Sequence, residues 1–170
     1  MYAPHQLLTT PRLLLERVAP EHAEEMAAIL DDPRLDTYCA GRAPTATALR
    51  ERYRRISVLR SDDGRAVWPT WIVRRRDRGE AVGSVQATVD GDQADVGWVI
   101  AVASQGQGYA TEAAQALIDW LEDNGVTAIQ ASIRPDNRAS AAVAAHVGLQ
   151  PTDERVDGDR IWRKPPRDIS

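Results

Sequence analysis

The stretch VGWVIAVASQGQGYATEAAQALIDWLEDNG, residues 96–125, constrains the fold more than any other part of the chain. An apolar run suited to a strand reaches about Val102, glycines follow at 106 and 108, and a helical pattern begins with no linker. Ala110, Ala113, Leu117 and Leu121 share one face of that helix, and Asn124-Gly125 is a stop signal. A strand feeding directly into a helix places unpaired N–H groups and the positive end of the dipole at the junction. Backbone amides in that position make an anion site, and Gly106 and Gly108 let a ligand approach without a Cβ clash. Two glycines that merely turn a corner are the plain alternative.

The flanks define the class. RLLLERV (12–18) suits a buried strand, PEHAEEMAAIL (20–30) a helix, and TALRERYRRISVLR (47–60) a second helix with Leu49, Tyr53, Ile56 and Leu59 inward. Strands are expected at 68–76, 81–89, 94–102 and 126–133, and a further helix over NRASAAVAAHVG. ERV-DG-DRIWR reads as a closing hairpin, with Asp157-Gly158 in a type I′ turn. Strand runs mixed with helices in this order predict α+β, a mostly antiparallel sheet of about seven strands with four helices. At 170 residues, one domain over 1–170 is expected, with its core at about 8–164.

Charge narrows the partners. A net charge of −4 disfavours a general nucleic-acid binder and suits cationic substrates. Arg74-Arg75-Arg76 reads as a solvated strand end, since no aromatics interleave for base stacking. The single cysteine, Cys39, excludes an internal disulfide and has no base beside it, so it reads as inert in a reducing, cytoplasmic setting. No 18-residue apolar run predicts a membrane span, and no His/Cys spacing predicts a metal site.

Three phosphate loops compete for SQGQGYAT. A P-loop needs Lys-Ser/Thr after its last glycine, where Tyr109-Ala110 stand. A dinucleotide loop needs glycine or alanine where Thr111 stands, and alternating βαβ surroundings. The pattern Q/R-x-x-G-x-G/A is met in full by Gln105, Gly108 and Ala110. With this loop between a strand and a helix, and Asn137-Arg138-Ala139-Ser140 and Gly148-Leu149 downstream, the chain resembles the GNAT family of N-acetyltransferases. The opening LLTTPRLLLERVAPEHAEEM, with DVGWVI and GYATEA, resembles its ribosomal-protein-serine/alanine acetyltransferase (RimJ/RimL-like) branch, and the similarity runs from about Leu8 to Trp162.

The resemblance implies an acetyl-CoA-dependent enzyme acting on a primary amine, a sheet splayed between its fourth and fifth strands, and no metal. It implies that backbone groups of Ile100, Ala101 and Val102 hold the pantetheine arm. Gln105, Gly106, Gln107, Gly108, Tyr109, Ala110 and Thr111 would take the pyrophosphate. Asn137 and Ser140 would touch the CoA arm, with helix capping the structural alternative for both. The general-acid tyrosine of many members is replaced by Ala144, and a glutamate of some others by Ser132. Ser140 is therefore the candidate for protonating the thiolate, and Asp95 a candidate base, with a solvated strand-end acid the plainer reading of it. Glu112 is explained by the helix dipole alone, and His146 is most simply dipole-stabilised at its helix end. Tyr38, Arg42 and Trp162 are candidates to line the acceptor site, or ordinary loop and hairpin residues. A catalytically weak acyl-CoA sensor, a larger donor such as succinyl-CoA, and the homodimers common in the family all stay open.

Overall fold

The computed structural model describes residues 6–35, 44–58 and 60–165. Its sheet has nine strands: β1 (Leu8–Thr9), β2 (Leu13–Arg17), β3 (Ala66–Val67), β4 (Thr70–Arg75), β5 (Ala81–Asp90), β6 (Gln93–Ile100), β7 (Ala128–Ile133), β8 (Gln150–Val156) and β9 (Asp159–Arg163). The order across the sheet is β1-β2-β4-β5-β6-β7-β9-β8, with β3 beside β5. Among the described residues only β6 and β7 run parallel. The count exceeds seven because β1 and β3 are two-residue strands, too short to carry a hydrophobic period.

Among the described residues four α-helices cover both faces. α1 (Ala23–Leu30) and α2 (Ala46–Ser57) bury Met26, Leu30, Leu49 and Tyr53 against Ile72, Ala81 and Val99. α3 (Tyr109–Asp123) and α4 (Arg138–His146) pack on the other face, where Leu117, Ile118, Leu121 and Ala144 meet Val85, Val96 and Ala131. α1 starts later than the sequence suggests because Pro20–His22 forms a 3-10 turn. The Ala19 N–H donates to His22 Nδ1 at 3.0 Å, tightening the entry. Leu59 lies outside the described residues. The closing hairpin turns as expected, with φ of 52° at Asp157 and 87° at Gly158, the two positive values that a type I′ turn needs.

The arginine triple is not a solvated strand end. Arg74 binds Glu16 of β2, both Glu25 carboxylate oxygens of α1 and the Gly79 carbonyl, so it ties three elements together. Arg75 pairs with Asp77 and Glu80, and Arg76 donates to the Thr10 and Pro11 carbonyls. A helix docked on the sheet leaves carboxylates near the strand end, and arginine's fork meets several at once. Among the described residues no helix is long and apolar enough to cross a membrane.

Candidate active site

The site begins where two strands stop pairing. β6 and β7 share a ladder only at Gln93–Asp95 against Ala128–Gln130. On its other side β6 stays paired with β5 as far as Ile100, and the Ala101 N–H donates to the Val82 carbonyl at 2.7 Å. Main-chain groups alternate sides along a strand, so those of Val99 and Ala101 face β5 while those of Trp98 and Ile100 face the open seam. The seam-facing rim therefore shares Ile100 with the expected one and begins two residues earlier, at Trp98. Ala101 and Val102 are already engaged: their carbonyls accept the N–H groups of Ser104 and Gln105 in a tight turn. A turn that must bring the chain to α3 uses those groups itself, a demand that the strand pattern does not show.

Two clefts open from this seam. The larger, about 620 Å³, lies over the loop and the start of α3, with Ile100, Gly106, Gly108, Thr111 and Asn137 on its wall. The smaller, about 370 Å³, is lined by Ser84, Gln86 and Thr88 of β5, Asp95 of β6, Ser132 of β7 and Asp159 of β9. Trp98, Val99, Asn137 and Ser140 line both, so the clefts meet at the seam. Arg134 also touches both and is ion-paired with Asp136 at 2.9 Å. The smaller cleft thus carries the carboxylates of Asp95 and Asp159, with the guanidinium of Arg134 on the same wall.

The loop has the backbone its glycines suggest, with φ of 78° at Gly106 and 83° at Gly108, both left-handed. Gln105, Gly106, Gly108, Ala110 and Thr111 line the larger cleft, whereas Gln107 and Tyr109 do not. The Gln105 side chain turns back to donate from Nε2 to the Ile100 carbonyl at 3.0 Å, fastening the loop to the strand end. Tyr109 is 5% exposed and packs in the core, with the Arg12 guanidinium 4.6 Å over its ring. Its side chain is therefore structural.

Asn137 caps α4, its Oδ1 accepting the Ser140 N–H at 3.1 Å, so the capping role is realised while both residues still face the clefts. Neither the Ser140 hydroxyl nor Asn137 Nδ2 has a protein partner among the described residues. Asp95 is exposed at the point where the ladder ends, with Gln130 Nε2 donating to its Oδ1 at 2.6 Å. Ala144, where a tyrosine stands in many relatives, is fully buried and lines neither cleft. His146 reaches the Ala142 carbonyl, 2.6 Å from Nδ1, which anchors its ring to its own helix.

Glu112 is held on the far side of α3 from the larger cleft. Burial raises its carboxyl's affinity for a proton, but hydrogen bonds from Thr10 and from the Arg12 side chain and backbone outweigh this and leave its pKa below the usual value. Glu25 is also held low, chiefly by its hydrogen bonds from Arg74. A native pKa below the unfolded value stabilises the fold above the unfolded pKa, and that stabilisation is lost as pH falls through the native one. Melting temperature should therefore fall steeply as the pH drops below about 4.5. Arg74→Ala should lower the neutral-pH melting temperature and flatten this acid slope; an unchanged slope in that variant would remove Glu25 as a contributor.

A sequence profile of the acetyltransferase (GNAT) domain matches residues 12–150. The chain belongs to the GNAT acetyltransferase family. No curated protein sequence matches this GNAT chain. Solved structures do match its fold at low identity. One is RimL, a ribosomal L7/L12 alpha-N-protein acetyltransferase in complex with coenzyme A (16% identity, TM-score 0.77, 97% of this chain and 100% of that one). Another is RimJ of Mycobacterium smegmatis in complex with a CoA disulfide (22%, 0.73, 89% and 80%). A third is the microcin C7 self-immunity acetyltransferase MccE, in complex with acetyl-CoA and AMP (18%, 0.74, 91% and 93%).

Three acceptor candidates from the sequence fare differently in this GNAT domain. Tyr38 and Arg42 lie outside the described residues, as does Cys39. Trp162 is not in the smaller cleft. It packs against the α3-side core, and the cleft is lined there by Ser132, Asp159 and its pairing partner Ala131. One residue of register decides the face, and the hairpin sequence does not reveal that register. Trp98 and Asp159 were not singled out by sequence reasoning, although the strict alternation along β6 could have found the first.

Proposed function

We propose that this GNAT domain transfers acetyl from acetyl-CoA to a primary amine by direct attack in a ternary complex. The observation that carries the reading is the unzipped β6–β7 seam, where a cleft over the glycine loop meets an acidic cleft at Trp98, Val99, Asn137 and Ser140. The loop amides and the α3 N-terminus suit a pyrophosphate. The open Trp98 main-chain groups and the Ile100 N–H suit the amide-bearing pantetheine arm, which can pair with them as a strand would. The low-identity fold neighbours RimL and MccE, in complexes with coenzyme A and acetyl-CoA, support that ligand class. The family resemblance to the ribosomal-protein branch supports an N-terminal amine among the acceptors.

In this reading the acceptor lies in the smaller cleft and its nitrogen reaches the thioester carbonyl at the seam. The N–C bond forms, the C–S bond breaks, and the nitrogen loses one proton. Asp95, oriented by Gln130, takes that proton directly or through water, while the Ser140 hydroxyl, without a protein partner among the described residues, relays a proton to the departing thiolate and regains one from solvent. An α-amine is about 10–20% neutral at pH 7, and a lysine amine far less, so dependence on the base should follow acceptor pKa.

The test is release of CoA thiol from acetyl-CoA over N-terminal peptides, polyamines, aminoglycosides and amino acids. Asp95→Asn should lower kcat by about 10–100-fold on the more basic amines at pH 7, with a smaller loss on N-terminal peptides. Wild-type kcat from Asp95→Asn on every active amine would remove Asp95 as the base. Tight acetyl-CoA binding with no turnover, and none with succinyl-CoA, would instead support an acyl-CoA sensor.

A further inference from the structure

We infer that Arg12 is a positioning residue that sets the pyrophosphate loop from behind, an inference that rests on reading the glycine loop as the phosphate site. Arg12 begins the run that forms β2, 95 residues before the loop, yet its Nη1 donates to the Gln107 carbonyl at 2.8 Å. In a trans peptide the carbonyl of one residue and the N–H of the next point in opposite directions. Drawing the Gln107 carbonyl outward therefore turns the Gly108 N–H away from Arg12, on the side where the larger cleft lies. Without that grip the 107–108 peptide could rotate easily, because glycine offers little steric resistance.

Arg12 is itself anchored at several points. Its Nε donates to Glu112 Oε1 at 2.8 Å, its backbone N–H to Glu112 Oε2 at 3.0 Å, and its carbonyl accepts the Arg76 N–H at 3.0 Å. Thr10 donates to the same Glu112 carboxylate, and the guanidinium lies over the Tyr109 ring. A Cβ added at Gly108 would stand 3.2 Å from Arg12 Nη2, so the guanidinium backs directly onto that residue. This explains a charge that is otherwise out of place. Glu112 sits in the first turn of a helix proposed to receive a polyanion, where a bare carboxylate would repel the ligand. Instead it is the anchor of the clamp, on the face of α3 away from the larger cleft.

The clamp and simple charge attraction predict opposite signs for one variant. If Arg12 served only as a cation near the phosphates, Glu112→Gln would remove a repulsive charge and tighten CoA binding. As an anchor, Glu112 is needed, and Glu112→Gln weakens CoA binding severalfold. Calorimetric titration of CoA and of pantetheine, which lacks the pyrophosphate and nucleotide, should be run on the wild type, Arg12→Ala, Arg12→Lys and Glu112→Gln, with melting curves for each. The expected result is a CoA affinity about tenfold lower in both Arg12 variants, because lysine cannot span Glu112 and the Gln107 carbonyl together. Pantetheine affinity should be unchanged in all three. Tighter CoA binding in Glu112→Gln, full recovery in Arg12→Lys, or equal loss of CoA and pantetheine would overturn the clamp. A wild type that binds CoA no better than pantetheine would overturn the phosphate reading of the loop itself.

Discussion

Gly108→Trp should lower CoA affinity by at least about a hundredfold while the chain still melts as a folded protein. The larger cleft is bounded by Gly106, Gly108, Ala110 and Thr111, and a ligand phosphate must come close to the main chain there. An indole at Gly108 forces a bulky L-residue into a φ of 83° with a Cβ 3.2 Å from the Arg12 guanidinium, so the loop must rearrange and lose the backbone that the phosphate approaches. Calorimetric titration of CoA reads the loss, and a melting curve separates it from unfolding. Because the core contacts of α3 begin with Tyr109 and Ala113 on the other side, the fold should survive. Wild-type affinity in a folded Gly108→Trp protein would place CoA elsewhere.

Gly83→Ala should cost about 3 kcal/mol and lower the melting temperature by about 10 °C. A Cβ at Gly83 would lie 2.0 Å from the Val99 carbonyl oxygen and 3.0 Å from Ile100 Cα. Both are backbone of β6, which cannot swing aside as a side chain can. The methyl group must therefore push β6 away from β5, next to the Trp98–Ile100 rim that faces the seam. The expected signature is double: lower stability by thermal unfolding, and weaker CoA binding in whatever folds. Gly97→Ala is the control, since its Cβ would meet only the Gln86 side chain at 3.6 Å or more. Equal stability for the two variants would show that β6 is not held as tightly as these distances require.

What could be read from the sequence was local. The strand–loop–helix unit at 96–125 needs only period, two glycines and a stop, and it folds as that pattern requires. The Asp157-Gly158 turn and the Asn137 cap are likewise set by one or two residues acting on their own backbone. Most features that the sequence does not show depend on partners far along the chain. Arg12 and Glu112 are 100 residues apart, and neither suggests the other until α3 is laid beside β2. Trp162 could be read either as acceptor lining or as a hairpin residue because a strand's side chains switch faces with each residue of register. Ala101 and Val102 were placed on the rim because the tight turn that consumes their carbonyls leaves no mark in an apolar run. Gly83 reads as an ordinary strand glycine, and only the bend of β6 onto it shows why no Cβ fits.

The most direct test of the account is to titrate the protein with acetyl-CoA and follow amide hydrogen exchange residue by residue. The account predicts protection of the Gly106–Thr111 amides and of Trp98 and Ile100 at the open seam, with little change along β8 or α2. Protection confined to other elements, or none at saturating acetyl-CoA, would contradict it.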